Sequence, residues 1–216
     1  MTRQLILVLL VVVGWHLGNA GRLAHAEDSP PAGGGLLGTS VFRLLNKASV
    51  RTELRVTPEQ AAALDTVQVR AKAQAGPAPA DKKAGAGHTR RLIDACDRLA
   101  WAVLRPEQQR RLRQIDRQIA YRNQGMAAVM AQPDVSALLT LSAAQQEQVR
   151  AANEALRRTV AQLFKQKDPN VRSRLDAVRE ENDRQLKAML TAGQLRAWED
   201  QVLGPPFDAA DLPIRR

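Results

Sequence analysis

The sequence predicts an all-α protein of antiparallel helical hairpins with no sheet, and three observations predict it. A short helix-starting phrase occurs four times in the 216 residues. The stretches that follow it place apolar residues three and four apart, the period of one helix face. No segment alternates apolar and polar residues in the manner of a half-buried strand.

The phrase is clearest at Leu54-Arg55-Val56-Thr57-Pro58-Glu59-Gln60. Thr57 supplies a side-chain oxygen for an N-cap, and Pro58 has the fixed φ and missing N–H tolerated at a first helical position. Gln60 stands where a capping-box partner reaches back. A helix is therefore expected to begin at Pro58. The phrase returns as Val103-Leu104-Arg105-Pro106-Glu107-Gln108, as Leu139-Thr140-Leu141-Ser142-Ala143-Ala144-Gln145, and as Met189-Leu190-Thr191-Ala192-Gly193-Gln194. The expected capping set is Thr57, Gln60, Gln108, Ser142, Gln145, Thr191 and Gln194. Each glutamine is followed four residues on by an apolar side chain: Leu64, Leu112, Val149 and Trp198.

The glutamines at 60, 108, 145 and 194 are 48, 37 and 49 residues apart, so alternate members are separated by 85 and 86. Such spacing points to tandem duplication of a two-motif unit. Val50-x-x-x-Leu54 and Val135-x-x-x-Leu139, again 85 apart, support it.

Arg3, the apolar run Leu5 to Val13 and the small-x-small site Ala24-His25-Ala26 read as a secretory signal peptide over residues 1–26, with Ala20 a second cleavage position. The rival, a retained anchor, is disfavoured because the run is well short of the roughly 20 apolar residues that span a bilayer. Cleavage would leave 30 basic and 22 acidic side chains, a net charge of +8. Residues 27–40 are punctuated by Pro, Gly and Ser and read as a flexible lead-in.

The first repeat unit is expected over 41–125. Val41, Leu44, Leu45 and Val50 suggest a short helix and turn, and the helix from Pro58 carries Leu64, Val67 and Ala71. Residues 73–88, rich in Ala, Gly, Pro and Lys, read as a low-complexity linker. Its Gly85-Ala86-Gly87-His88 superficially resembles a phosphate loop, but no strand leads into it. Helices follow from Thr89 to Leu104, from Pro106 to Asn123, and around Met126 to Ala131.

The second repeat unit, 126–207, continues with Ala143 to Gln166 and Pro169 to Leu190, joined at Asp168-Pro169-Asn170. Val149, Ala152, Leu156, Val160 and Leu163 form one stripe; Val171, Leu175, Val178, Leu186 and Met189 form the other. Asn182 lies inside that second stripe, either setting register or marking a wet edge. A last helix from Ala192 ends at Gly204, before Pro205 and Pro206, and 208–216 form a tail.

Catalytic, cofactor and metal sites are not expected. Cleavage leaves His88 as the only histidine, so neither a catalytic triad nor a histidine-rich metal cage assembles within one chain. Cys96 is the only cysteine, and it shares a stripe with Leu92, Ile93, Leu99, Ala100 and Val103, the position of a small core residue. Carboxylates are interleaved with bases at helical spacing, as in Glu180 with Arg184 and Asp183 with Lys187, which is ordinary surface pairing.

Charge is the remaining signal. Residues 27–125 hold 17 basic and 10 acidic side chains, and residues 126–216 hold 13 and 12. Arg110, Arg113 and Arg117 project from one face of the Pro106 helix, opposite Leu112, Ile115 and Ile119. This face would attract acidic polypeptides, anionic envelope polymers or lipid headgroups, unless it is simply solvated. Nucleic acid is disfavoured by export and by the lack of interleaved aromatics for base stacking.

On the motif residues Leu54 to Gln60 and Met189 to Gln194, and more loosely Leu139 to Gln145, the chain resembles the Leu-Thr-x-x-Gln proteins of the bacterial envelope, the group that includes the Spy and CpxP periplasmic proteins. Trp198 to Phe207, through Gly204-Pro205-Pro206, is also similar to the tail of secreted planctomycete-type proteins. The second motif departs from the pattern, with Arg105 in place of Thr. The resemblance implies a helical, extracytoplasmic protein, and Spy-like members are dimeric cradles that hold unfolding clients without ATP. Two two-motif units in one chain would then form a pseudo-dimer. Two functions follow as expectations: a chaperone-like binder of protein clients, or a structural envelope component that binds one partner or an anionic polymer through its basic half.

Overall fold

The computed structural model describes residues 39–77, 82–166 and 170–208. The signal peptide expected over 1–26, the lead-in as far as residue 38, Asp168-Pro169 of the expected turn and the tail from 209 lie outside the described residues.

The described chain is mostly helical. Its elements are α1 Val41–Leu45, α2 Ala48–Glu53, α3 Pro58–Ala75, α4 Lys82–Val103, α5 Pro106–Gln124, α6 Met126–Met130, α7 Pro133–Leu138, α8 Ala143–Lys165, α9 Val171–Met189 and α10 Ala192–Ala197. α10 runs directly into a π-helical turn, Trp198–Leu203. The described residues form no sheet.

Three expectations are corrected. The linker expected over 73–88 is largely helix, with 73–75 closing α3 and 82–88 opening α4. Ala and Lys favour helix strongly enough to carry Gly85 and Gly87, each of which costs roughly 1 kcal/mol relative to alanine. α3 stops at Gly76, whose φ of 72° belongs to the left-handed region that glycine adopts freely. Second, α7 was not foreseen; its start is set by Pro133 at the first helical turn. Third, the last helix widens before Gly204, where the Gly204 N–H bonds the Glu199 carbonyl five residues back.

The duplication is visible in the backbone. α1, α2 and α3 recur 85 residues later as α6, α7 and α8. Between α2 and α3 the chain turns on Arg55, and between α7 and α8 on Thr140, each with φ of 49°. Both turns are Schellman closures: Val56 N–H reaches the Arg51 carbonyl and Arg55 N–H that of Thr52, just as Leu141 reaches Ser136 and Thr140 reaches Ala137. A non-glycine residue in this region costs about 1–2 kcal/mol. The phrase thus combines a helix stop with a helix start.

Packing divides the chain into two compact units that do not follow the repeats. Of the described residues, one holds 40–42, 57–77 and 82–110; the other holds 43–56, 111–166 and 170–208, so the boundary falls inside α5. In the first unit, Leu64, Val67 and Ala71 of α3 are buried, as are Ala95, Cys96, Ala100 and Trp101 of α4. Cys96 is a free, buried thiol, and burial pushes its pKa up, with Asp97 adding to the effect. In the second unit the core gathers Met126, Val129, Met130, Val135, Leu139, Val149, Leu186, Trp198 and Val202. Tyr121 meets Trp198 edge to face, with centroids 5.8 Å apart. Along the two stripes Leu156, Leu163 and Leu175 are buried. Asn182 is half-buried, and its Nδ2 is shielded from solvent without a hydrogen-bond partner among the described residues.

Candidate functional site

The four motif glutamines do more than cap. In the first unit, Thr57 Oγ1 accepts from Gln60 N–H at 3.2 Å while Gln60 Oε1 accepts from Thr57 N–H at 3.1 Å, completing the capping box. The Gln60 amide nitrogen then crosses to the next motif, donating to Gln108 Oε1 at 2.8 Å and to the Val103 carbonyl at 2.8 Å. Gln108 returns a bond from Nε2 to Gln60 Oε1 at 3.0 Å and caps Arg105 N–H with its own Oε1 at 2.9 Å. Arg105 therefore removes only the hydroxyl half of the box.

The second unit repeats the clasp. Gln145 Nε2 donates to Gln194 Oε1 at 2.9 Å and to the Met189 carbonyl at 3.0 Å, and Gln194 Nε2 donates back to Gln145 Oε1 at 3.1 Å. Capping boxes at Ser142 and Thr191 hold both oxygens. Each clasp ties the start of a long helix to the end of the next: α3 to α4, and α8 to α9.

Two aspartates carry the same 86-residue spacing: Asp97, which the sequence did not single out, and Asp183, which was expected only as a surface partner of Lys187 and instead holds a helix start. On α4, Asp97 Oδ1 accepts from Ser40 Oγ at 2.6 Å and from Phe42 N–H at 2.9 Å, holding the start of α1. On α9, Asp183 Oδ1 accepts from Met126 N–H at 2.8 Å, holding the start of α6. Burial raises the Asp97 pKa against the pull of its donors, and Oδ2 has no partner among the described residues. Tyr121 is pushed up to about 12 by burial and by its hydrogen bond to the Asp183 carboxylate. Gly125, with φ of 83°, lets the chain enter α6 against Asp183.

The expected arginine face is not one exposed surface. Arg110 is exposed and Arg113 is half-buried. Arg117 is only 7% exposed, and its Nη2 pairs with Asp134 at 2.7 Å. A helical wheel gives the side on which Arg117 lies but not the start of α7 that meets it there. Of the three, Arg110 remains the freely presented cation.

The middle of α5 is polar yet buried, and its partners explain why. Gln114 and Gln118 are 9% and 7% exposed. Gln114 Nε2 donates to the carbonyls of Asp200 and Gln201, each at 3.3 Å. Gln118 Nε2 donates to those of Leu203 and Pro205, each at 2.7 Å, and its Oε1 accepts from Phe207 N–H at 2.8 Å. Arg122 Nη2 completes the row at the Phe207 carbonyl, 2.8 Å away.

An open cleft of about 530 Å³ lies between the end of α5 and α9, ringed by Arg122, Arg179, Arg184 and Lys187 and by Asp176, Glu180 and Asp183. Arg179 bonds the Asn123 carbonyl at 2.7 Å and lies 3.6 Å from Asp176. Mixed charge suits a polar contact surface better than an enclosed reaction chamber. Among the described residues no cluster of three or more His, Cys, Asp or Glu could hold a metal, and no helix is long and apolar enough to cross a membrane.

Comparison with protein-family models, curated proteins and solved structures finds no match.

Proposed function

We propose that the protein is an exported, chaperone-like binder of other polypeptides, working without ATP or metal chemistry. The observation that supports this is the placing of its uncovered apolar side chains. Val69 is 71% exposed on α3, Phe164 63% on α8, and Ile93 41% on α4. Each has an exposed basic residue on its own helix face: Lys72 three positions after Val69, Arg90 three before Ile93, and Arg157 two turns before Phe164. An apolar contact beside a cation suits unfolding clients, whose exposed segments mix apolar and acidic residues, and the charge speeds encounter. The resemblance to the Leu-Thr-x-x-Gln envelope proteins points the same way. In this reading the glutamine clasps stiffen the helix pairs that carry these contacts. Binding of one fixed anionic partner through the arginine face has less to draw on, since Arg117 is engaged by Asp134.

Serine at Val69, Ile93 and Phe164 together tests the reading. The variant should keep its helical circular dichroism and lose most of its capacity to hold a thermally aggregating client in solution. Undiminished suppression would remove these side chains from the binding surface.

A further inference from the structure

We propose that the face of α5 bearing Gln118 and Arg122, with Gln114 at its edge beside Gly204, is a binding surface for extended, proline-containing apolar segments of other polypeptides, occupied in this structure by the chain's own residues 203–207. Its role rests on the polypeptide-binding function proposed above.

The three side chains stand at i, i+4 and i+8, so they line one stripe of the helix. They bond almost wholly to main chain. Gln118 alone takes two carbonyls and one N–H from the segment, and Arg122 takes the Phe207 carbonyl. Recognition of this kind reads backbone, as in strand addition, and leaves side-chain identity to separate pockets.

The segment's composition matches what the stripe supplies. Pro205 and Pro206 have no N–H, so the stretch between Gly204 and Phe207 presents carbonyls and no orphan donors. Glutamine amides and a guanidinium are the donors that carbonyls need. Proline also pre-extends the segment, which lowers the entropy lost on docking. Phe207, 4% exposed, is the apolar anchor. Gly204 has φ of 63°, and a Cβ there would collide with the Gln114 amide, so a small residue must precede the prolines. The chemistry recognised is therefore a small residue, a proline pair and an aromatic.

Gln118 is a buried amide that would lose its three partners if the segment simply left. A buried donor without an acceptor is costly, which favours exchange of the segment for another of the same chemistry over an empty surface. The chain's own segment is then a built-in competitor that sets how readily outside segments enter.

The test uses a fluorescent Leu-Gly-Pro-Pro-Phe peptide and the full-length protein carrying Phe207→Ala, whose segment has lost its anchor. In fluorescence polarisation the variant should bind the peptide at least tenfold more tightly than the wild type, and adding Gln118→Ala should abolish capture. Absence of binding to Phe207→Ala, or capture undiminished by Gln118→Ala, would overturn the proposal. Should Phe207→Ala fail to fold, hydrogen exchange on the wild type decides. Excess unlabelled peptide should speed exchange at the Phe207 amide and leave Val202 unchanged; an unchanged Phe207 rate would overturn it. Dimerisation of the wild type that Phe207→Ala abolishes would assign the surface to a second copy and overturn it too. Failed peptide capture with intact suppression of client aggregation sinks this inference alone, whereas loss of suppression in the wild type removes the underlying function.

Discussion

Gln60→Glu separates a capping role from a clasp. A capping box accepts glutamate as readily as glutamine, and a carboxylate at a helix N-terminus gains about 0.3–1 kcal/mol from the helix dipole. If capping were the whole role, the variant would be neutral or slightly stabilised. In the structure the Gln60 amide nitrogen makes two bonds of 2.8 Å, to Gln108 Oε1 and the Val103 carbonyl. Glutamate deletes both donors, at about 1 kcal/mol each, and turns a carboxylate oxygen toward acceptors beside the buried Gln108, for roughly 1 kcal/mol more. The expected loss of about 3 kcal/mol lowers the melting temperature by roughly 6–12 °C for a chain of this size. Protonation restores one donor, and the facing oxygens raise the carboxyl pKa. A raised folded-state pKa means that the folded form holds the proton more tightly, so the penalty is full at pH 7 and shrinks as pH falls through that pKa. Thermal melts followed by circular dichroism at pH 7 and at mildly acid pH read both effects. A variant that melts with the wild type at pH 7 would refute the clasp and return the motif to capping alone.

Other perturbations test neighbouring parts of the structure. Thr140→Gly should raise stability by about 0.5–1 kcal/mol in chemical denaturation, because it relieves a non-glycine residue at φ 49°; a loss would contradict the strain assigned there. Gly204→Ala should cost about 3 kcal/mol in the same assay, combining left-handed strain with displacement of the Gln114 amide. Asp97 has a raised pKa in the fold, so its stabilising contribution is complete below the unfolded carboxylate value and is lost as pH rises through the folded one. Asp97→Asn should therefore flatten stability against pH in that acid window, and an unchanged slope would locate the titration elsewhere. Cys96, buried and with its pKa raised, should react with a thiol reagent only at the rate of unfolding, measured by colour release in rising denaturant.

Helix starts at Pro58, Ala143 and Ala192 were legible because N-capping is a local interaction, written into four consecutive residues. The 85-residue repeat was legible for the same reason. What joins the glutamines was not, since Gln60 and Gln108 meet only after two helices have folded back, and nothing near either residue encodes the other. Asp97 and Asp183 could have been found, because they share the glutamines' repeat spacing, but acids on helices are too common to stand out without a partner. Arg117 was misplaced because periodicity assigns a side and says nothing of Asp134 beyond it. The buried Gln114 and Gln118 escaped for a related reason: they read as solvent-facing until the segment after Trp198 is laid against α5.

The central claim is that this helical protein holds unfolding polypeptides, and light scattering tests it most directly. Chain 27–216, added in a salt series to several unrelated proteins heated to aggregation, should suppress scattering for all of them. Suppression should weaken as salt screens the basic residues beside the apolar contacts. No suppression for any client, at any salt, would contradict the claim.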